Sequence, residues 1–283
     1  MSWIEFIKVF FYGVIEGITE WLPVSSTGHL ILFDYFFPIK ASASFMEMFE
    51  YVIQLAAILA VVVLFWKNIF PLERVEKEGK NQIAWNKGVL SLWGKIIVAC
   101  IPALLALLID PLFEKLNRVQ EAGIVSVMLL LYGCVFLVVE RWNKRESKIQ
   151  EVAQISYKTA FFIGCFQLLA TIPGTSRSGI TIIGALLLGV ARPSAAEFTF
   201  YLAIPTMVGA SGYKILKFLL SGISITGVEI GALALGCIVA FTLSLFTIRF
   251  LMNFVKKHDF KPFGFYRILL GALVLFIAVI PHL

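Results

Sequence analysis

The sequence predicts an all-α polytopic membrane protein, with about six transmembrane helices plus two re-entrant helical hairpins in an inverted-topology repeat, forming a single integral membrane domain over residues 1–283. Three observations carry that expectation. Hydrophobic residues make up 59% of the chain and charged residues 15%, with a mean hydropathy of +0.89, whereas soluble domains carry about 25% charged residues. Six apolar stretches, about 49–66, 88–109, 122–139, 197–220, 224–250 and 264–282, have the roughly 17–25 residues that a helix needs to cross a bilayer. Two further pairs of apolar limbs are broken by proline and are too short to cross twice.

The first broken pair is 3–22 and 25–37, divided at Pro23. It is no cleavable signal, because Glu5 precedes Lys8 and Glu16 and Glu20 interrupt the apolar run. The second pair is 157–172 and 177–190, divided by Pro173-Gly174-Thr175-Ser176. Irregular backbone at membrane depth is tolerated only where protein buries it or it lines a cavity, so both pairs read as re-entrant. Leu22-Pro23-x-Ser25-Ser26 matches Ile172-Pro173-x-Thr175-Ser176, and each break is followed by a span carrying Glu50-x4-Leu55-Ala56 or Glu197-x4-Leu202-Ala203. Both glutamates are expected at the heads of their spans, where negative charge complements a helix N-terminus. The repeat halves are then roughly 1–110 and 150–250, plus the remaining helices.

Loop charges orient the halves. Loop 67–87 carries Lys67, Arg74, Lys77, Lys80 and Lys87; loop 140–158 carries Arg141, Lys144, Arg145, Lys148 and Lys158; loop 251–263 carries Lys256, Lys257 and Lys261. The alternate connections are poorer, with Lys115 and Arg118 in one. If the rich loops are cytoplasmic, both termini lie outside and the two hairpins enter from opposite faces. Broken-helix tips in such repeats meet near the midplane, where a binding site is expected. The formal charge of +6 sits mainly in these loops, which argues for membrane topology and against nucleic acid. The four cysteines, Cys100, Cys134, Cys165 and Cys237, stand singly in apolar segments and read as buried free thiols, not metal ligands. Small residues Gly231, Ala232, Ala234 and Gly236 suit close helix packing, within the chain or in a homodimer.

The breaks hold the chemistry. Glu16 and Glu20 are four apart, on one helix face and within about 6 Å. A hard divalent cation, Mg2+ or Ca2+, completed by phosphate oxygens and water, would balance them; neutralisation by Arg177 or a shared proton is the alternative. Ser25, Ser26 and Thr27 fall where a second helix begins, as do Thr175, Ser176 and Ser178 after Pro173. Hydroxyl residues there can simply cap. Two helix N-termini aimed at one place would equally hold a diphosphate, with Arg177 clamping its oxygens. His29 lies one turn beyond Ser26, where it is either a packing residue or the base that a serine needs to attack phosphorus.

Glu16-Gly-Ile-Thr-Glu20-Trp-Leu-Pro23-Val-Ser25-Ser26-Thr27-Gly28-His29 together with Pro173-Gly174-Thr175-Ser176-Arg177-Ser178-Gly179 resembles the paired motifs of the bacitracin-resistance family of undecaprenyl-diphosphate phosphatases. The resemblance extends over essentially the whole chain. It implies a bacterial plasma (inner) membrane enzyme that removes the terminal phosphate of a polyprenyl diphosphate lipid and recycles the carrier for cell-wall synthesis. It implies metal binding and catalysis at Glu16 and Glu20, with Ser25, Ser26, Thr27 and His29 at the diphosphate and Thr175, Ser176, Arg177 and Ser178 opposite. The resemblance leaves the nucleophile open. Our expectation is attack by Ser26 with His29 taking its proton, while the metal and Arg177 neutralise the equatorial oxygens. A transporter or lipid flippase is the alternative class, since it shares the architecture. A type-2 phosphatidic acid phosphatase fits poorly, because the only later His-Asp pair, His258-Asp259, sits in a lysine-rich loop.

Overall fold

The computed structural model describes residues 2–77, 80–109, 112–113, 116–142, 147–222 and 225–282. Lys115, Lys144 and Arg145 of the loop-charge argument lie outside the described residues. The first broken pair is α1 (Trp3–Thr19) and α2 (Ser26–Phe36), followed by α3 (Ala43–Leu64) and the short α4 (Trp66–Ile69). Two antiparallel strands, β1 (Leu72–Lys77) and β2 (Lys80–Trp85), occupy the stretch expected as plain loop. Helix α5 (Lys87–Cys100) ends early because Pro102 turns the backbone into a tighter helical turn before α6 (Ala106–Ile109). Then come α7 (Arg118–Trp142), the second broken pair α8 (Tyr157–Leu168) and α9 (Arg177–Leu187), α10 (Arg192–Leu220), α11 (Gly227–Phe254) and α12 (Lys261–Val274).

Among the described residues, five helical stretches are long and apolar enough to cross a membrane: Ala43–Leu64, Lys87–Leu105, Arg118–Trp142, Gly227–Phe254 and Lys261–His282. The chain is an all-α membrane protein. Large apolar side chains on its outside, Trp3, Leu108 and Leu220 among them, are more than 70% exposed, as lipid-facing positions should be. The expected 197–220 span falls within α10, whose 29 residues contain Pro205 and several hydroxyls and glycines, and it is not among the five.

Glu50 and Glu197 do not head their helices. Ser42 caps α3 through Phe45 N–H at 3.2 Å, and Pro193 opens α10, so each helix starts earlier and each carboxylate lies inside it. Glu50 accepts the Tyr12 hydroxyl at 2.5 Å; Glu197 accepts that of Tyr201. The thiols are free as expected, but Cys134 is exposed on the outer face and none of the four is fully buried.

Helix packing follows a repeating scheme: α1 lies on α11 and α8 on α5, α2 touches α12 and α9 touches α7, while α3 crosses α10 and α7 crosses α12. Bare backbone allows the closest crossings. A Cβ on Gly164 of α8 would lie 2.1 Å from the Ala99 carbonyl of α5, and one on Gly236 would lie 2.9 Å from the Phe49 ring. Part of the small-residue stripe of α11 is therefore used inside the chain.

Candidate active site between the two broken helices

Two turns meet in the protein interior. Glu20 extends α1 by one helical residue, its N–H reaching the Glu16 carbonyl at 3.1 Å. Pro23 then stops the helix, Val24 N–H folds back on the Leu22 carbonyl at 2.7 Å, and Ser25 takes φ 74° before α2 begins. In the second turn Thr175 N–H closes on the Ile172 carbonyl at 3.2 Å, Gly174 takes φ 86°, and Ser176 takes φ 67° before α9 begins. Ser25 and Ser176 are the two non-glycine residues with positive φ among the described residues, a conformation that costs an L-residue about 1–3 kcal/mol and clusters at functional sites.

Their shared conformation corrects the register of the internal match. Ser25 corresponds to Ser176, not Thr175, because Gly174 is an extra residue in the second turn. Ser25-Ser26-Thr27-Gly28 then aligns with Ser176-Arg177-Ser178-Gly179, and the place of Ser26 in one half is held by Arg177 in the other. The two helix starts also differ in capping. Ser176 Oγ accepts from Gly179 N–H at 3.3 Å, while Ser25 makes no side-chain cap. The first-turn amides of α2 therefore lack a side-chain acceptor and can meet an anion.

Glu20 lies at the junction. Its Oε1 pairs with Arg177 Nη2 at 3.0 Å, its Oε2 accepts the Ser26 hydroxyl at 3.3 Å, and its carbonyl accepts from Ser178 Oγ at 3.1 Å. Arg177 Nη1 also reaches the Thr199 carbonyl at 3.4 Å, while its buried Nε has no partner among the described residues. Ser176 and Ser178 hydroxyls lie 3.3 Å apart. Ser25, Thr175 and Ser178 are buried; Thr27 is half-buried at the start of α2. The carboxylate of Glu16, a residue 4% exposed, makes no hydrogen bond or ion pair among the described residues. A buried carboxylate in that condition calls for a cation or a proton.

His29 is one turn from Ser26 but not bonded to it. Its Nδ1 lies 2.7 Å from the Ser25 carbonyl and its Nε2 2.7 Å from Tyr266 Oη, with the two rings stacked at 5.6 Å. A carbonyl only accepts, so Nδ1 carries the proton and Nε2 accepts from the tyrosine. The expected Ser26–His29 contact is replaced by Ser26–Glu20.

Sequence reasoning missed two residues, both from α12. Tyr266 orients His29. Arg267, fully buried, donates Nη2 to the carbonyls of Gly174 and Thr175 at 3.0 Å each and Nη1 to that of Pro23 at 3.4 Å. One guanidinium thus ties both turns together. An arginine within an apolar span was the available signal.

No group of three or more His, Cys, Asp or Glu side chains is poised as a metal cage among the described residues. A cation here would take Glu16 and Glu20 and complete its shell with oxygens that the protein does not supply, which suits Mg2+ or Ca2+ beside a phosphate.

The family model described as bacitracin resistance protein BacA matches residues 9–273. The undecaprenyl-diphosphatase of Enterococcus faecalis is 52% identical over 282 residues, covering 99% of each chain. That of Lachnoclostridium phytofermentans is 52% identical over 275 residues, covering 97% of each, and that of Desulfitobacterium hafniense 51% over 278 residues, covering 97% of this chain and 96% of its own.

Proposed function

The chain belongs to the bacitracin resistance protein BacA family, and from that premise we propose how its site hydrolyses undecaprenyl diphosphate to undecaprenyl phosphate and inorganic phosphate. The enzyme is an undecaprenyl-diphosphate phosphatase and recycles the carrier lipid for peptidoglycan synthesis. The observation that carries the mechanism is the shared carboxylate of Glu20, which holds the Ser26 hydroxyl on one oxygen and Arg177 on the other.

The diphosphate sits between the N-termini of α2 and α9. The uncapped first-turn amides of α2, the hydroxyls of Thr27, Thr175, Ser176 and Ser178, and the Arg177 guanidinium with its free Nε face its oxygens. Ser26 Oγ attacks the terminal phosphorus. The new O–P bond forms as the bridging P–O bond breaks, undecaprenyl phosphate leaves, and the Ser26 proton passes to Glu20 Oε2. Water then attacks the phosphoserine phosphorus as its bond to Ser26 Oγ breaks, Glu20 returns the proton to Ser26 Oγ, and inorganic phosphate leaves with the water's oxygen and protons. The leaving group is a phosphate monoester, so electrostatic neutralisation matters more than an acid. Glu16 and Glu20 would hold Mg2+ or Ca2+, which when bound supplies Lewis-acid neutralisation of phosphoryl charge. His29 is the alternative proton acceptor; it takes that role only if Nε2 is released by Tyr266.

The finer architecture belongs to the same proposal: about six spans and two re-entrant hairpins as an inverted repeat, in the bacterial plasma membrane. Its support is the paired helix packing and the matching backbone of Ser25 and Ser176. The transporter alternative gains nothing from relatives whose names are those of diphosphatases.

The test is phosphate release from undecaprenyl diphosphate by purified protein, with and without Mg2+ or Ca2+, beside Ser26→Ala, Glu20→Gln and Arg177→Ala. Release that needs the cation and is lost in all three folded variants is expected. Full activity in Ser26→Ala would remove serine attack and leave His29 or water.

A further inference from the structure

The segment joining α3 to α5 makes a surface that the phosphatase site does not use. Asn86 anchors it: its N–H donates to the Pro71 carbonyl at 2.8 Å, its Nδ2 to Glu73 at 2.8 Å, and its Oδ1 caps α5 through Val89 N–H at 3.1 Å. The β1–β2 ribbon is thereby fixed to the end of a spanning helix and held near the bilayer surface. Pairing of Leu72 with Trp85 and Arg74 with Ile83 puts these four on one face, with Glu76 farther along it towards the ribbon's turn. Ile83 is 73% and Trp85 61% exposed. A two-stranded ribbon alone is marginally stable in water, so an uncovered apolar face on one implies a covering. At its foot Trp66 stacks on Phe70 at 4.6 Å, and these with Leu90 and Trp93 wall an apolar groove of about 520 Å³. Between 67 and 87 the basic residues Lys67, Arg74, Lys77, Lys80 and Lys87 outnumber Glu73, Glu76 and Glu78.

We infer that this face docks on anionic lipid. Leu72, Ile83 and Trp85 enter the boundary between headgroups and acyl chains, where tryptophan is favoured. Arg74, with Lys67 and Lys87 at the foot of the ribbon, meets headgroup phosphates, and the groove at the foot accepts an acyl chain. A positive segment tethered at a membrane surface fits that occupant better than a second copy, which would carry the same net charge.

Amide hydrogen exchange of the full-length protein tests this in nanodiscs holding one copy, and in a parallel set holding two, made of phosphatidylcholine alone or with phosphatidylglycerol. Exchange across the two strands should slow by about tenfold or more in the anionic discs, and high salt should reverse part of it. Ile83→Glu with Trp85→Glu should abolish the slowing while leaving phosphate release in detergent unchanged. Because that variant could unfold the ribbon by itself, a second reading compares tryptophan quenching by lipids brominated near the headgroup in wild type and Trp85→Phe. A quenched component lost in Trp85→Phe is expected. Equal exchange in both discs, an unchanged quenching profile, or slowing only in discs with two copies would each overturn the inference, the last in favour of self-association.

Discussion

Arg267→Met separates holding the site together from holding the protein together. The Arg267 guanidinium is fully buried and makes no ion pair among the described residues, yet it serves the carbonyls of Pro23, Gly174 and Thr175. Methionine keeps much of the volume and removes all three donors. A buried carbonyl stripped of its donor costs about 1–3 kcal/mol, roughly 3–9 kcal/mol for three. Against this, removing an unpaired buried charge recovers several kcal/mol of desolvation. The two effects are similar in size and opposite in sign, so net stability should change by no more than about 3 kcal/mol. Geometry has no such compensation. The guanidinium that donates to backbone carbonyls of both turns is gone, and a misplacement of about 1 Å costs about 10²-fold in rate. We expect kcat for phosphate release to fall about 100-fold with KM changing less, and the thermal midpoint to move by no more than about 10 °C. Arg267→Lys keeps the charge but its compact head can serve only one turn, so it should rescue little. A kcat for Arg267→Met within about threefold of wild type would refute the clasp, and full rescue by lysine would reduce it to charge alone.

Three further outcomes follow from particular contacts. Ser26→Ala should lose trapped phosphoenzyme and at least about 10³-fold in kcat while still binding substrate, measured by rapid quench with labelled substrate. At Ser25, glycine should be tolerated and valine should cost about 2 kcal/mol or more, because φ is 74°; thermal unfolding of the two variants side by side reads the difference. Tyr266→Phe removes one hydrogen bond from His29, so kcat should fall about fivefold with KM nearly unchanged, and a KM effect of equal size would instead place Tyr266 on the substrate.

The broken helices were legible because proline, hydroxyl residues and carboxylates stand out against hydrocarbon. Their register was not, since Pro23-x-Ser25 and Pro173-x-Thr175 look equivalent until the positive φ of Ser176 shows that Gly174 is an insertion. The start of α3 was misread for a related reason. Ser42 caps through a single hydroxyl, a local signal that a glutamate seven residues into the helix outweighed in the sequence. Tyr266 and Arg267 escaped notice because Phe-Gly-Phe-Tyr-Arg-Ile reads as the ordinary end of a span. Their roles depend on where α12 lies relative to two turns more than 90 and 230 residues away, and no local pattern encodes that.

The site is divided so that neither half can assemble it. The first turn brings the acids Glu16 and Glu20 with Ser26; the second brings Arg177 into the position that Ser26 holds in its counterpart. The two turns meet in a buried pair, Glu20–Arg177. A carboxylate buried without its arginine is costly, typically by about 3–5 kcal/mol. Docking of the second broken pair on the first thus makes the same contact that, in the mechanism proposed above, a diphosphate would loosen by giving Arg177 phosphate oxygens to bind, freeing the Glu20 carboxylate for the Ser26 proton.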